Sequence, residues 1–265
     1  MTTYLQGHHA SVLRSHRWRT AANSAGYLLP HVRQRMRVLD VGCGPGTITR
    51  DLGALVGPQG EVVGVDNSPE VVAQAAKECD LPQVRFAVED ARNLDAGDGT
   101  RDVVHAHQVL QHLTDPVSAL REMARVSRPG GLAAVRDVDY AAMTWYPAVP
   151  ALDRWLEDYR ATARAHDAEP DAGRRLLGWA HAAGFAEITA SASAWCFATA
   201  EDRDWWGAMQ ADRIVHSRIA GEAVHRGLCR ADELPGLAAG WRTWAAADDG
   251  WFAVLHGELL CRVAA

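Results

Sequence analysis

Lysine is almost absent from this sequence. Lys77 is the sole lysine, so arginine carries nearly all of the positive charge, and the excess of acidic residues gives a formal net charge of -6 at pH 7. Extended contact with a nucleic-acid backbone requires clustered basic side chains. The composition therefore argues against a nucleic-acid partner.

Long hydrophobic runs and a regular cysteine pattern are also missing. No apolar stretch reaches the roughly 20 residues that a membrane-spanning helix requires, and the first residues lack the basic and apolar segments of a signal peptide. We therefore expect no membrane partner and a cytoplasmic location. The cysteines are odd in number and scattered, which fits neither a disulfide framework nor a zinc site, so we expect no metal. They are Cys43, Cys79, Cys196, Cys229 and Cys261.

The sequence does contain a glycine-rich loop after a short apolar run. Gly42, Gly44 and Gly46 alternate directly after residues 38–41, and residues 47–55 follow with the pattern of a helix. Glycines in such a loop let the backbone approach a ligand closely, and the helix N-terminus directs its N–H groups at that ligand. A dinucleotide-binding loop places the third glycine one residue later, and the lysine of a P-loop is missing. A purely structural turn is the alternative.

Strand and helix patterns then alternate as far as residue 137. Ser68 and Asp115 each precede a proline, which is typical of a helix cap followed by the first helical residue. Such alternation indicates a doubly wound parallel sheet, whose ligands bind at the carboxyl ends of the strands. Strands are predicted at residues 38–41, 61–66, 84–88, 102–107 and 132–137, and helices at 47–56, 68–79 and 115–127.

The glycine loop, the acidic strand ends and a predicted Arg-Pro-Gly-Gly turn at residues 128–131 point to one family. Over roughly residues 35–140 the sequence resembles the class I S-adenosylmethionine (SAM) methyltransferases, and residues 108–113 look most like the ubiquinone and menaquinone methyltransferases. The resemblance implies an α/β, Rossmann-like sheet of seven strands with the last strand antiparallel. It also implies SAM as cofactor and methyl transfer to O, N or C of a small organic acceptor, including secondary metabolites. The alternative is a protein that binds SAM without transferring its methyl group.

Periodicity weakens after residue 137, and nine of the ten tryptophans lie beyond Tyr140. We expect three parts: a helical N-terminal lid at residues 1–36, the SAM-binding core at 37–140, and a helical cap with the final strands at 141–265. The sequence does not decide the oligomeric state, and a dimer stays open. Within the last part, helices are predicted at residues 151–165, 171–183 and most of 201–247, a strand at 186–192, an apolar segment at 251–256 and a final strand at 259–263.

The cofactor-binding residues that the resemblance implies lie at the ends of the first four strands. Asp66 ends the second strand, where a carboxylate accepts hydrogen bonds from the ribose hydroxyls. Asp90 and Ala91 meet the adenine ring, with Glu89 as the alternative acid. The full set is Asp40, Gly42, Cys43, Gly44, Gly46, Thr47, Asp66, Asn67, Asp90, Ala91, His107 and Gln108.

Three polar residues are expected near the sulfonium end of the cofactor. The resemblance implies that Asp40 orders the glycine loop and reaches the methionine amino group. His107 and His112 are candidate catalytic bases, because an imidazole titrates near neutral pH. Alternatively, His107 lines the methionine pocket and His112 packs at a helix start. His105 shares a strand face with His107, but no carboxylate lies beside them in the sequence, so metal binding is not favoured.

The acceptor is expected beside the fourth and fifth strands. Residues 105–108 are His-Ala-His-Gln, where methyltransferases of nucleobases and glutamine have Asn/Asp-Pro-Pro-Tyr/Phe, and this argues against DNA and RNA acceptors. Aromatic rings beyond the fifth strand offer apolar area with N–H or O–H groups, although they are equally suited to the core of the added helices. The predicted substrate-binding residues are Tyr4, His16, Trp18, Arg19, Asp137, Tyr140, Trp145 and Trp206.

Overall fold

The computed structural model describes residues 15–264, so Tyr4 and the first part of the predicted lid lie outside the described residues. Strands and helices alternate through the first half, as the sequence predicts. The strands are β1 (Arg37–Val41), β2 (Glu61–Asp66), β3 (Val84–Val88), β4 (Arg101–His107), β5 (Ser127–Val138), β6 (Thr144–Tyr146), β7 (Glu187–Phe197) and β8 (Trp251–Arg262). The helices named below are α1 (Ala21–Ser24), α2 (Thr47–Val56), α3 (Pro69–Glu78), α4 (Pro116–Val126), α5 (Pro150–Arg164), α6 (Leu176–Ala183), α7 (Ala200–His216), α8 (Arg218–His225) and α9 (Leu234–Ala245).

These strands form one mixed sheet with the order β3-β2-β1-β4-β5-β8-β6, and β7 pairs with β8. β1 to β5 are parallel, and β8 runs antiparallel to β5. The predicted parallel sheet and its antiparallel last strand are therefore confirmed. Because β1 to β4 run in the same direction, their carboxyl ends lie together at one edge of the sheet. The residues at these ends are Val41, Asp66, Val88 and His107.

The sheet has eight strands rather than the seven expected. The additional strand is β6, which pairs with residues 251–253 of β8, close to the residues that β5 pairs. β7 occupies the opposite edge of β8 along its whole length. β5 and β6 therefore lie in line along one edge, separated by the 3-10 turn Tyr140–Ala142. β6 forms because β5 leaves the backbone groups at this end of β8 without strand partners.

Several boundaries also differ from the sequence prediction, and two of them concern the residues around β5 and α6. β5 begins at Ser127, so residues 128–131, predicted as a turn before the strand, belong to the strand itself. The predicted helix at residues 171–183 starts as the 3-10 turn Ala172–Arg175 and continues as α6. The predicted helix caps are confirmed: Ser68 Oγ accepts from the Val71 N–H (3.4 Å), and the Asp115 carboxylate accepts from the Ser118 N–H (2.9 Å).

Apolar side chains bury both faces of the sheet, which explains the continuous apolar runs in its strands. One face packs under α1 and α2, where Leu28, Val38 and Leu52 are fully buried. The other face packs under α4 and α6. A third cluster joins α5, α7 and α9 to the ends of β7 and β8 around Trp241 and Trp244. Within residues 15–264, no helix has the length and apolarity to cross a bilayer.

Candidate functional site

The glycine loop connects β1 to α2 with three left-handed residues. Gly42, Gly44 and Gly46 have φ angles of 68°, 53° and 78°. A Cβ atom on Gly42 would lie 2.3 Å from a Val109 methyl group, and one on Gly46 would lie 2.7 Å from the Phe86 ring. A Cβ on Gly44 would meet no atom within 4 Å. Two of the glycines are therefore required by packing, and the third lies beneath open space that a ligand can enter.

Asp66 links this loop to the end of β2. Its Oδ2 accepts a hydrogen bond from the Gly44 N–H (3.1 Å) and its Oδ1 accepts one from the Ser68 N–H (3.1 Å). Asp66 therefore lies at the carboxyl end of β2 beside the glycine loop, where the ribose is predicted to bind. The predicted partner Asn67 follows directly and is exposed.

Asp90 follows the neighbouring strand end, beside Asp66. Asp66 pairs with Val88 in the sheet, and its carbonyl accepts from the Glu89 N–H (3.1 Å). Arg92 binds both oxygens of Asp90 (3.0 and 2.7 Å), and its hydrogen bonds hold the pKa of Asp90 below the usual range. Asp90 is therefore an ionised hydrogen-bond acceptor at the edge where the adenine is predicted. The Ala91 side chain is half-buried beside it.

Asp40 is buried beneath the loop instead of facing it. Thr49 Oγ1 donates to its Oδ2 (2.6 Å), and His105 Nδ1 lies 2.8 Å from its Oδ1. Thr49 belongs to α2, so Asp40 ties β1, β4 and the helix that follows the glycine loop together. This geometry favours the loop-ordering role of Asp40 over contact with the methionine amino group. It also gives His105 a carboxylate partner across the sheet.

Gln108 follows β4 in a strained conformation, with φ at 54°. Its Oε1 accepts from Arg19 Nη2 (2.8 Å), and its Nε2 donates to His256 Nε2 (2.8 Å), while His256 Nδ1 donates to the Val254 carbonyl (3.0 Å). A non-glycine residue in this region costs about 1–3 kcal/mol. Fixing Gln108 from both sides maintains the conformation, and it brings Arg19 of the predicted lid to the carboxyl end of β4.

His107, the last residue of β4, is 5% exposed. Neither of its ring nitrogens has a hydrogen-bond partner within residues 15–264. Burial, together with the charges of Arg19 and Arg136, lowers its pKa well below the usual value. A buried polar group without a partner costs about 1–3 kcal/mol, so His107 is a neutral group suited to a hydrogen bond with a ligand.

His112 ends the 3-10 turn Leu110–His112, which follows β4. The fully buried Asp137 anchors this turn, because its carboxylate accepts from the N–H groups of Leu110 (3.2 Å) and Gln111 (3.4 Å). Burial raises the pKa of Asp137 to about 7. Burial also lowers the pKa of His112 to about 3, and the charges of Arg19 and Arg213 contribute.

These shifts bear on the predicted catalytic histidines. A general base acts best when its pKa lies near the working pH, and a pKa of about 3 places His112 far below it. Both His107 and His112 are neutral at pH 7 and accept hydrogen bonds more readily than they hold a proton. Their catalytic role stays a prediction.

A cavity of about 540 Å³, including its open mouth, lies among the helices beyond β5. We call it the cap cavity. Of the predicted substrate residues, Tyr140 lies on its wall and stacks on Tyr159 with ring centroids 4.1 Å apart. The polar residues on its walls include Asp158, Thr162, Gln210, Arg213 and Ser217, and the apolar ones include Trp155, Ile214, Ala220, Ala223 and Leu237.

The other predicted substrate residues occupy different places. Trp145 stacks on Phe252 (5.5 Å) and Trp206 stacks on Phe197 (4.1 Å), inside the third hydrophobic cluster. Trp18 packs edge-on against Trp195 (5.1 Å between centroids). His16 is half-buried. Trp18 therefore attaches the N-terminal segment to the sheet, while Trp145 and Trp206 help to form a core.

Sequence reasoning missed a buried ion pair next to His107. Arg136 pairs with His107 in the sheet and donates through Nε to Glu258 (3.1 Å) and through Nη2 to Ser193 Oγ (3.1 Å). Its guanidinium also lies over Trp195, 5.1 Å from the ring centroid. The available signal was an arginine and a glutamate within two apolar strand segments, since buried charges require partners.

The sheet order, the antiparallel β8, the glycine loop after β1 and the acids at the ends of β2 and β3 together define a class I SAM-dependent methyltransferase. Residues 33–207 match the family model described as a methyltransferase domain. The chain belongs to this family, and the match extends beyond residue 140, where the motifs recognised in the sequence end.

Individual relatives agree with this assignment. An uncharacterised methyltransferase of Schizosaccharomyces pombe is 35% identical over 97% of this chain and 95% of its own length. A demethylmenaquinone methyltransferase of a Geobacillus species is 38% identical over 38% of this chain and 44% of its own. The solved YcgJ protein of Bacillus subtilis shares the fold, with a TM-score of 0.58 at 21% identity over 92% of this chain and 99% of its own.

Proposed function

We propose that this methyltransferase transfers the methyl group of SAM to a small organic acceptor bound in the cap cavity. The observation that supports the proposal most directly is the position of the cavity. Tyr140 lies on its wall and follows β5, at the edge of the sheet where parallel-sheet ligands bind. A cleft with mostly apolar walls and a few polar groups is the usual form of a site for an organic molecule.

The residues around the glycine loop fit SAM. The open space above Gly44 admits the cofactor, Asp66 beside the loop is a carboxylate that suits the ribose hydroxyls, and Asp90 is an ionised acceptor for the adenine amino group. SAM supplies an electrophilic methyl group on its sulfonium. The protein residues then bind and orient both reactants and exclude water, because in-line approach at about 3–3.5 Å is the main requirement of such a transfer.

His112 is influenced by one residue of the cofactor edge and one of the cavity. Burial lowers its pKa, and the charges of Arg19 and Arg213 lower it further. Arg19 binds Gln108 at the end of β4, and Arg213 lies on the cavity wall.

The test is a transfer assay with labelled SAM and a broad mixture of small metabolites, followed by a cavity-filling variant. Ala220 is buried on the cavity wall, and Ala220→Leu places a larger side chain there. We expect methyl transfer to fall by about tenfold or more, equivalent to ~1.4 kcal/mol, while binding of S-adenosylhomocysteine is unchanged. Ala239→Leu, at an exposed position on α9, is the matched control. Unchanged transfer in a folded Ala220→Leu protein would refute the cavity as the acceptor site, and SAM binding without any transfer would refute the proposal as a whole.

A further inference from the structure

Three polar residues of the cap cavity lie at the C-terminal end of α7. Gln210 and Arg213 belong to α7 and are three residues apart on one helix face, and Ser217 directly follows the helix in an extended conformation. Gln210 and Ser217 are each 5% exposed, and all three residues line the cavity.

Ser217 provides a second, independent sign of a ligand. Its Oγ is buried without a hydrogen-bond partner within residues 15–264, although it lies on the wall of a cavity. Buried hydroxyl groups are normally hydrogen-bonded. A donor in this position is satisfied when a ligand presents an oxygen to it.

The charges on the walls favour a ligand with a negative oxygen. Asp158 also lines the cavity, but its carboxylate is bound by Arg154 Nε (3.0 Å). Thr162 donates its hydroxyl proton to the Asp158 carbonyl within α5 (2.7 Å). Arg213 is the basic residue among those on the cavity walls, which Ser217 also lines, and its Nη1 contacts Met209 Sδ (3.8 Å).

The remaining walls are flat and aromatic. The rings of Tyr140 and Tyr159 stack at 4.1 Å with an angle of 19° between their planes, and Trp155 lies 6.1 Å from Tyr159 between centroids. Aromatic rings pack well against other planar rings in offset or edge-on geometry. The walls thus suit a planar molecule.

From these observations we infer that the acceptor is a planar aromatic compound carrying an ionised oxygen, either a carboxylate or a phenolate. The oxygen is bound by Arg213 and Ser217, and the ring lies against the Tyr140 and Tyr159 wall. This inference rests on the proposed function, because it assumes that the acceptor enters the cap cavity.

The experiment is calorimetric binding of defined probes to the protein saturated with S-adenosylhomocysteine. The probes are 2-naphthoate, its uncharged isostere 2-naphthamide, the saturated decahydro-2-naphthoate and 4-nitrophenolate. We expect 2-naphthoate or 4-nitrophenolate to bind about tenfold or more tightly than the uncharged or saturated probes. The stronger of the two binders identifies the oxygen group as carboxylate or phenolate. Equal affinity for naphthoate and naphthamide, or no binding of any probe, would overturn the inference.

Variants locate the interaction within the cavity. Arg213→Gln should remove the preference for the charged probe, Arg213→Lys should restore part of it, and Ser217→Ala should weaken naphthoate binding about three- to tenfold. Arg218→Gln is the matched control, because Arg218 is exposed and lies outside the cavity. An Arg213→Gln protein that still prefers naphthoate would contradict the assignment.

The two proposals fail in different ways. If Ala220→Leu abolishes methyl transfer while the parent shows no preference for charged aromatic probes, the acceptor class is wrong and the cavity assignment stands. If Ala220→Leu transfers methyl groups normally, the cavity assignment itself is wrong.

Discussion

Replacing Gly44 by alanine provides a sharp test of cofactor binding, because the chain contains a matched glycine elsewhere. Gly44 and Gly184 have φ angles of 53° and 101°, and a Cβ on either would meet no atom within 4 Å. Gly44 lies in the loop before α2, whereas Gly184 is the left-handed C-cap of α6.

The two substitutions should cost similar stability and differ in cofactor affinity. An alanine in left-handed conformation costs about 1–2 kcal/mol at either site. At Gly44 the added methyl group also enters the open space above the loop and forces SAM away from the backbone. Loss of two hydrogen bonds at about 1–1.5 kcal/mol each corresponds to roughly 30- to 150-fold in Kd.

The assay is calorimetric titration of both variants with SAM and S-adenosylhomocysteine, accompanied by thermal unfolding without ligand. We expect Gly184→Ala to bind like the parent and Gly44→Ala to bind much more weakly at a similar unfolding midpoint. Parent-like affinity in Gly44→Ala would show that SAM does not lie over the loop. An equal loss in both variants would attribute the effect to backbone strain.

Three further predictions concern Asp137, Trp206 and Arg19. Burial raises the pKa of Asp137 from 3.8 to about 7, so between these pH values the folded state holds a proton that the unfolded state releases. The parent should therefore lose unfolding free energy relative to Asp137→Asn as pH rises from 4 to 7, by at most about 1.4 kcal/mol per pH unit in denaturant titrations. Trp206→Ala should destabilise the fold by about 3–5 kcal/mol, and Trp251→Ala, whose ring is 40% exposed, by about 1 kcal/mol or less; similar losses would contradict the core position of Trp206. Arg19→Gln should accelerate dissociation of S-adenosylhomocysteine in stopped-flow measurements, because it removes the hydrogen bond to Gln108 at the end of β4. Arg17→Gln breaks an exposed ion pair and should leave the rate unchanged, and equal rates in both variants would exclude a role for the Arg19–Gln108 bond in retaining the ligand.

The core of the sheet was predictable because its signals are local. β2 and β3 coincide with the predicted segments 61–66 and 84–88, since each is a short apolar run bounded by polar residues. The loop after β1 was predictable for a related reason: two of its glycines pack against side chains that leave no room for a Cβ, so their spacing is visible in the sequence itself.

β6 and the cap cavity depend on contacts between distant segments, and local patterns do not report them. Residues 144–146 form a strand because residues 251–253 pair with them across more than a hundred residues of chain. Likewise, the sequence offers Tyr140 and Trp206 as equivalent aromatic residues, yet one lies on a cavity wall and the other stacks on Phe197.

The cap cavity shows that even a pattern visible in the sequence can mislead when the neighbouring helices are unknown. The residues concerned are Gln210, Arg213 and Ser217. Gln210 and Arg213 mark a polar face of α7, Ser217 directly follows the helix, and a polar helix face normally lies in solvent. Here α5, α8 and α9 surround that face, so Gln210 and Ser217 are almost fully buried. A buried polar face has to be satisfied by the protein or by a ligand, and the Ser217 hydroxyl has no hydrogen-bond partner within residues 15–264. The position of neighbouring helices therefore changes the meaning of the pattern, from a solvated surface to a candidate site for the methyl acceptor.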